Sequence, residues 1–119
     1  MSPTVDPDQA RELLARVRTL LPDRAVREVR MFNVIAVMID DAMAVAVNKD
    51  ASLLVRVDPA EDARLLESPH ASRAEMGAGR SMGRGWIRVE TRALSSDQGL
   101  GDWVACATRY HLARSNNSV

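Results

Sequence analysis

The stretch that decides the fold is "VREVRMFNVIAVMIDDAMAVAVNKDASLLVRVD", residues 26–58. Short runs rich in Val, Ile and Met are separated there by the polar signals "DD" at 40–41 and "NKDA" at 48–51. Apolar runs bounded by Asn and Asp are typical of strands joined by tight hairpins. The segment therefore predicts three antiparallel strands, "VREVRMFNVIAVMID", "AMAVAVN" and "SLLVRVD".

Each of these runs is apolar on both faces of the strand that it predicts. An antiparallel sheet with one face in water would alternate apolar and polar residues instead. We therefore expect helices to cover one face of the sheet and a partner subunit to meet the other.

A helix is predicted before the strands, in "DPDQARELLARVRTLL" at 6–21. Asp6 has the position of an N-cap, Pro7 the first helical position, and Gln9 follows three residues after the cap. Leucines and one valine recur there at three- and four-residue spacing, which gives the helix one apolar side. Pro22 is expected to end it.

Two more helices and two more strands follow. Asp58, Pro59 and Glu61 repeat the helix-start pattern, and "SSDQGLGDWVACATRYHLARS" at 95–115 predicts a closing helix whose start Gly99 and Gly101 weaken. The segment "HASRAEM" at 70–76 could form an edge strand. In "GWIRVE" at 85–90 the alternation predicts a half-buried strand.

The order of these elements predicts an α+β fold, with one antiparallel sheet of about five strands and helices packed on it. A chain of 119 residues can bury one core but not two. We predict a flexible tail at 1–5, one domain at 6–115 and a polar tail at 116–119.

Composition limits the classes of partner. A formal net charge of +0 leaves no basic surplus to neutralise nucleic-acid phosphates, although one basic face could still exist. Cys106 is the only cysteine, the N-terminal "MSPTVDPDQA" is no signal peptide, and the apolar run 34–39 is too short to span a bilayer. We expect a cytoplasmic protein that does not enter a membrane.

The loop "GAGRSMGRGW" at 77–86 raises the question of phosphate binding. A dinucleotide fingerprint would require glycine at Met82 and a helix afterwards, whereas a strand is predicted to follow. A P-loop would require a lysine, which this loop lacks. The stretch is therefore interpreted mainly as a β-connection whose glycines take positive φ.

The arginines nevertheless suggest two binding hypotheses, one for a small anion and one for DNA. Arg80 and Arg84 beside Trp86 could clasp a carboxylate or a phosphate. Alternatively, several arginines could converge on one face and contact DNA, namely Arg27, Arg30, Arg56, Arg80 and Arg84. The candidate anion or partner-binding residues are thus Arg30, Arg56, Arg80, Arg84 and Trp86.

The sequence places few residues where they could form a catalytic or metal site. His70 and His111 lie on different predicted elements, with no paired His or Cys at metal-ligand spacing. Cys106 and His111 would point about 140° apart on one helix, at ~100° per residue, and Asp40–Asp41 fits a hairpin turn. We predict a non-enzymatic protein without a metal or cofactor.

Three short motifs in order carry a resemblance to a known family, namely Arg30-Met31-Phe32, Leu54-Val55-Arg56-Val57 and Gly85-Trp86-Ile87. The chain resembles the N-terminal domain of the TfoX/Sxy family over about residues 10–115. It departs from the family pattern where Asn33-Val34 replaces Gly-Gly and where Ser81 replaces a proline.

The resemblance implies a compact α+β domain, similar to YgaC-like and secretion-chaperone folds that often pair as dimers. Together with the strands that are apolar on both faces, it leads us to predict a protein-interaction module, expected as a homodimer, that binds a protein partner that the sequence does not identify and regulates transcription. Full-length proteobacterial relatives regulate competence genes alongside the cyclic-AMP receptor protein. They carry a second, C-terminal domain that we do not expect in this chain.

Overall fold

The computed structural model describes residues 7–21, 26–31, 34–39, 42–75 and 80–117. Its α-helices are α1 (Pro7–Leu20), α2 (Asp62–Leu65) and α3 (Asp97–Asn117). Its strands are β1 (Val26–Met31), β2 (Val34–Ile39), β3 (Ala42–Asn48), β4 (Leu53–Arg56), β5 (Ala71–Arg73) and β6 (Trp86–Val89). Two 3-10 turns, Pro59–Glu61 and Thr91–Leu94, precede α2 and α3.

The six strands form one sheet in the order β1-β2-β3-β4-β6-β5, and every neighbouring pair is antiparallel. The predicted α+β class is confirmed, with six strands instead of about five. The additional strand arises because "VREVRMFNVIAVMID" folds back on itself, so that Val26 lies opposite Ile39 and Met31 opposite Val34. The reversal itself falls at 32–33, outside the described residues.

Helices α1 and α3 cover one face of the sheet, which we call the helix face. Its core joins both helices to the four central strands through buried side chains that include Leu13, Val17, Val37, Val45, Leu53, Val55, Ile87, Val89, Leu100 and Val104. Burial of this many large apolar side chains, each contributing about 1.5–3 kcal/mol, supplies most of the driving force for folding. The expectation that helices cover one face is confirmed.

The opposite face of the sheet, which we call the open face, carries a second apolar cluster. Four of its side chains are buried, and six more pack around them half-buried. No residue of the described helices belongs to this cluster, whose members are Ala36, Ala46, Leu54, Ala74, Val29, Val34, Met38, Met43, Met82 and Trp86. The sheet is therefore apolar on both faces, as the strand sequences predicted.

The second helix start is shorter than predicted. Asp58 caps it as expected, because its Oδ1 accepts a hydrogen bond from the backbone N–H of Ala60 at 2.9 Å. However, the segment forms a 3-10 turn and then only four α-helical residues. The Glu61 side chain accepts from Arg64 at 2.6 Å, as an exposed pair at i,i+3 spacing.

The remaining strand predictions agree with the structure. The segment "HASRAEM" supplies β5 at the edge of the sheet. In β6, Ile87 and Val89 are fully buried on the helix face, whereas Trp86 and Arg88 are half-buried on the open face. Helix α1 begins at Pro7 as predicted, and its predicted cap Asp6 lies outside the described residues.

The two glycines near the start of α3 have different surroundings, which gives a matched prediction. A Cβ at Gly99 would lie 2.3 Å from the carbonyl oxygen of Ala93, whereas a Cβ at Gly101 would meet nothing within 4 Å. We expect Gly99→Ala to lower the free energy of unfolding by about 1–3 kcal/mol, since overpacking forces backbone shifts. We expect Gly101→Ala to raise it by about 0.5–1 kcal/mol, because alanine favours a helix interior.

Urea unfolding followed by circular dichroism measures both variants under identical conditions. The close approach at Gly99 follows from the capping of α3, because the Gly99 N–H donates to Ser96 Oγ at 3.0 Å. Equal effects of the two substitutions would contradict this packing.

Candidate functional site

A buried ion pair holds the glycine loop in place. The side chain of Asp62, only 3% exposed, accepts two hydrogen bonds from Arg73, Nη1 to Oδ1 at 2.7 Å and Nη2 to Oδ2 at 2.5 Å. The backbone N–H of Gly85 donates to the same Oδ1 at 2.8 Å, and Arg73 Nη1 also donates to the carbonyl oxygen of Gly83 at 2.7 Å. The pair thereby joins α2, β5 and the bend before β6.

The ionisation of this pair is stabilised by its contacts. Hydrogen bonds from Arg73 lower the pKa of Asp62; burial opposes them, while the Gly85 N–H and the charges of Arg73 and Arg84 lower it further. The same hydrogen bonds raise the pKa of Arg73 above its ordinary value. Both groups are therefore charged across the physiological pH range.

The described part of the glycine loop connects two strands. Glu75 and Ser81 form an antiparallel bridge, and the chain then turns at Gly83 (φ +93) and Gly85 (φ +91) into β6. No helix begins there, so residues 80–89 lack the free amides and dipole that hold phosphate at a helix N-terminus. The interpretation as a β-connection agrees with this geometry.

A second polar cluster lies in the hairpin between β3 and β4. Asp50 Oδ1 accepts from the backbone N–H and the hydroxyl of Ser52, and Asp50 Oδ2 accepts from Arg88 at 2.8 Å. Burial alone would raise the pKa of Asp50, but these hydrogen bonds outweigh it and leave the pKa below its ordinary value. The cluster fixes the turn in which Ala51 has φ +67.

Two of the predicted site residues meet on neighbouring strands. Arg56, at the end of β4, lies opposite Trp86 of β6, and the Arg56 Cζ is 5.0 Å from the centroid of the Trp86 ring. The same Cζ lies 5.8 Å from the ring centroid of Tyr110 in α3. Such distances are typical of cation–π contacts. Arg56 therefore links the sheet to the last helix.

The other predicted site residues are spread out. Arg80 and Arg84 are exposed and lie in the loop before Trp86, and Arg84 is near enough to Asp62 to lower the pKa of that carboxyl. Arg30 lies on β1, three strands away from β4, which is ~14 Å at the usual spacing between strands. The structure thus groups Arg56 with Trp86 and places Arg30 apart from both.

The arginines considered for DNA contact do not all share one face. Arg27 lies opposite Met38, an open-face residue, whereas Arg30 lies opposite Ile35, which packs with the helix-face core. Adjacent side-chain positions along a strand alternate between the two faces. The edge strand therefore directs its two arginines to opposite sides of the sheet.

The histidines and the cysteine are also separated. His111 is buried in α3, and Cys106 is half-buried against the helix-face core. His70 precedes β5, with its Nδ1 3.9 Å from Glu90 Oε2. Within the described ranges, no group of three His, Cys, Asp or Glu side chains is placed to hold a metal ion.

Sequence reasoning missed the Asp62–Arg73 pair and the contact between Tyr110 and Arg56. Asp62 follows a helix-start motif and looks like one more acidic residue of a first helical turn. Arg73 looks like an ordinary charge on an edge strand. Nothing in the spacing of 11 residues between them indicates that they meet.

The motifs quoted above occupy defined places in the sheet. The segment Leu54–Val57 covers most of β4, and Gly85 and Trp86 open β6 beside it. Residues 18–110 match the TfoX N-terminal domain. The chain belongs to the TfoX N-terminal domain family. Its predicted membership is confirmed over nearly the whole sequence.

The TfoX N-terminal domain family is not a known enzyme family. Comparisons with curated proteins and with solved structures find no match for the chain. Among the described residues of this TfoX N-terminal domain, no helix has the length and apolar character needed to cross a bilayer.

Proposed function

We propose that this TfoX N-terminal domain is a non-enzymatic interaction module that pairs with a second copy of itself through the open face. The observation that carries the proposal is the apolar cluster on that face, to which no described helix contributes. A contiguous apolar surface of this kind marks an interaction site in soluble proteins. An antiparallel sheet needs one apolar face for its own core, not two.

The exposed part of the open face supports a second copy as the occupant. Met38 lies opposite Met43, and both are half-buried, whereas the neighbouring Ala36 and Ala46 are fully buried by the side chains around them. A two-fold axis through the methionine pair would place it against the same pair of the other copy, as a self-complementary interface requires.

The packing chemistry is consistent with such a dimer. Two sheets that pack face to face lie about 10 Å apart and interdigitate their side chains. Methionine is flexible and fills irregular gaps between such sheets. Met38, Met43 and Trp86 are half-buried in the single chain, so each has surface left to bury.

In cellular terms, we propose that the dimer acts in the cytoplasm and takes part in regulating transcription, as in competence-type gene expression. Family membership supports this role, because relatives with the same N-terminal domain are regulators. The module would act by binding a further protein, since the described arginines considered for DNA contact do not all share one face. An affinity pull-down followed by measurement of a direct interaction identifies that protein.

The dimer gives a direct prediction for the mass in solution. Size-exclusion chromatography with light scattering should give twice 13.1 kDa for the wild-type chain. We expect Met38→Glu to reduce the mass to that of a monomer, because a carboxylate would be buried unpaired at the centre of the interface. Affinity should fall at least about a hundredfold, which corresponds to about 2.7 kcal/mol.

Leu20→Glu provides the matched control. Leu20 is 44% exposed on α1, far from the open face, so the same charge there should leave the dimer intact. Thermal unfolding of both variants checks that each remains folded. A wild-type monomer at tens of micromolar, or a Leu20→Glu monomer, contradicts the proposed interface.

A further inference from the structure

Arg56 is held differently from the arginines that form ion pairs. Within the described ranges, ion pairs join Arg16 to Asp97, Arg18 to Glu28, Arg64 to Glu61, Arg73 to Asp62 and Arg88 to Asp50. Arg56 instead contacts two aromatic rings, at 5.0 Å from Trp86 and 5.8 Å from Tyr110. Among the described residues, none accepts a hydrogen bond from its side chain.

This arrangement leaves the hydrogen-bonding edge of Arg56 available. A guanidinium contacts an aromatic ring through its flat face or its positive charge, whereas its five N–H bonds lie in its own plane. The rings also restrict the side chain, so less rotamer entropy is lost when a ligand binds. Arg56 is half-buried, which strengthens its electrostatic attraction for an anion relative to an arginine in open water.

We propose that Arg56, which contacts the rings of Trp86 and Tyr110, binds the carboxylate of a small organic acid. The two oxygens of a carboxylate match the parallel N–H pair of a guanidinium. The rest of the ligand would contact the half-buried apolar side chains of Trp86 and Met82 on the open face. The acid is therefore expected to carry an aliphatic or aromatic body next to its carboxylate.

The charge balance favours a monocarboxylate over a phosphate. One guanidinium neutralises one negative charge, whereas a phosphate monoester carries close to two at neutral pH. Arg88, which lies on the same face of β6 as Trp86, already pairs with Asp50 at 2.8 Å. The second negative charge of a phosphate would have no cation beside it in this half-buried site, and the phosphate would therefore bind more weakly.

This site shares the open face with the proposed dimer, which would also bury the exposed part of Trp86. Arg56 and Trp86 lie on β4 and β6, whereas the methionine pair lies on β2 and β3. Titrating benzoate into the Met38→Glu monomer as well as into the wild type distinguishes the two proposals, because the monomer should bind benzoate even where the dimer covers Trp86.

Titration of the wild-type chain with sodium benzoate, at constant ionic strength, tests the proposal. We expect a saturable shift of the Trp86 indole N–H signal in nitrogen–proton spectra and no shift for buried Trp103, with a Trp103→Phe variant assigning the signals. Benzamide, which has the same body without the charge, should produce no shift. Inorganic phosphate should bind at least about tenfold more weakly than benzoate, which corresponds to about 1.4 kcal/mol.

Two variants separate a binding site from a structural contact. Arg56→Lys keeps the charge but loses the planar fork, so benzoate should bind at least about tenfold more weakly. Arg64→Lys, on the exposed surface of α2, should bind benzoate as the wild type does. No saturable shift, an equal response to benzamide, or unchanged binding by Arg56→Lys overturns the proposal and leaves Arg56 as a contact between α3 and the sheet.

Discussion

Asp62→Asn is expected to lower the free energy of unfolding by about 3 kcal/mol. The substitution removes one partner of a buried ion pair, and such changes cost about 3–5 kcal/mol. The lower end applies because the Arg73 side chain remains 28% exposed and can be partly hydrated after its partner is lost. An asparagine oxygen could still accept from the Gly85 N–H, but it cannot bind the guanidinium through two charged hydrogen bonds.

Glu61→Gln is the control for this prediction. It breaks an ion pair one residue earlier, in which the Arg64 and Glu61 side chains are 66% and 37% exposed, and exposed pairs contribute about 0–1 kcal/mol. Urea unfolding of both variants at neutral pH gives the comparison. A loss for Asp62→Asn no larger than that for Glu61→Gln contradicts the role of the buried pair.

The pH dependence of stability supplies a second readout for the same variant. The folded pKa of Asp62 is lowered, so its contribution is present above the unfolded pKa of about 4 and is lost as the pH falls through the folded value. The wild type should therefore lose stability below about pH 4 more steeply than Asp62→Asn. A residual slope remains in the variant because the pKa of Asp50 is lowered as well.

The strand pattern was accessible from sequence because it depends on local composition. Runs of Val, Ile and Met interrupted by Asp and Asn are typical of strands joined by tight hairpins. Strands β3 and β4 lie where those runs occur. The count fell one strand short at "VREVRMFNVIAVMID", since only Phe32 and Asn33 separate β1 from β2. A two-residue connection leaves little composition signal unless glycine is present.

The long-range contacts were not accessible, because they depend on how elements pack. Arg73 lies beside Asp62 because β5 pairs with β6, and Tyr110 lies near Arg56 because α3 packs on the sheet. The inward position of Asp62, the first residue of α2, likewise depends on its pairing with Arg73, which single-residue propensities do not describe.

The candidate site likewise was predictable in its residue types but not in their positions relative to one another. Sequence reasoning singled out Arg56 and Trp86, since both stand in strand motifs, and register places them opposite each other. Arg30 was included on residue type alone, and the strand order separates it from the others. Residue type therefore suggests which side chains could bind, whereas only topology shows which of them meet.

Gly85→Ala is expected to lower the free energy of unfolding by about 2–5 kcal/mol, the other large effect in this chain. Gly85 has φ +91, and alanine there costs about 1–2 kcal/mol through its backbone conformation alone. In addition, the new Cβ would lie 2.9 Å from the carbonyl oxygen of Val57 and 3.4 Å from Pro59 Cγ. Overpacking of this kind adds about 1–3 kcal/mol.

The contact cannot relax easily because backbone hydrogen bonds fix Gly85 on both sides. Its carbonyl oxygen accepts from the Val57 N–H at 2.8 Å, and its own N–H donates to Asp62. A shift of the bend that accommodated the methyl group would therefore weaken the same ion pair that Asp62→Asn removes. For this reason the double variant Asp62→Asn with Gly85→Ala should lose less stability than the two single losses added together.

Gly83→Ala separates the two causes. Gly83 has a similar φ of +93, but a Cβ there would meet nothing within 4 Å. We expect a loss of only about 1–2 kcal/mol, from backbone conformation alone. The difference between the two variants in urea unfolding then measures the close approach of Gly85 to Val57, and equal losses for both would show that this approach does not constrain the bend.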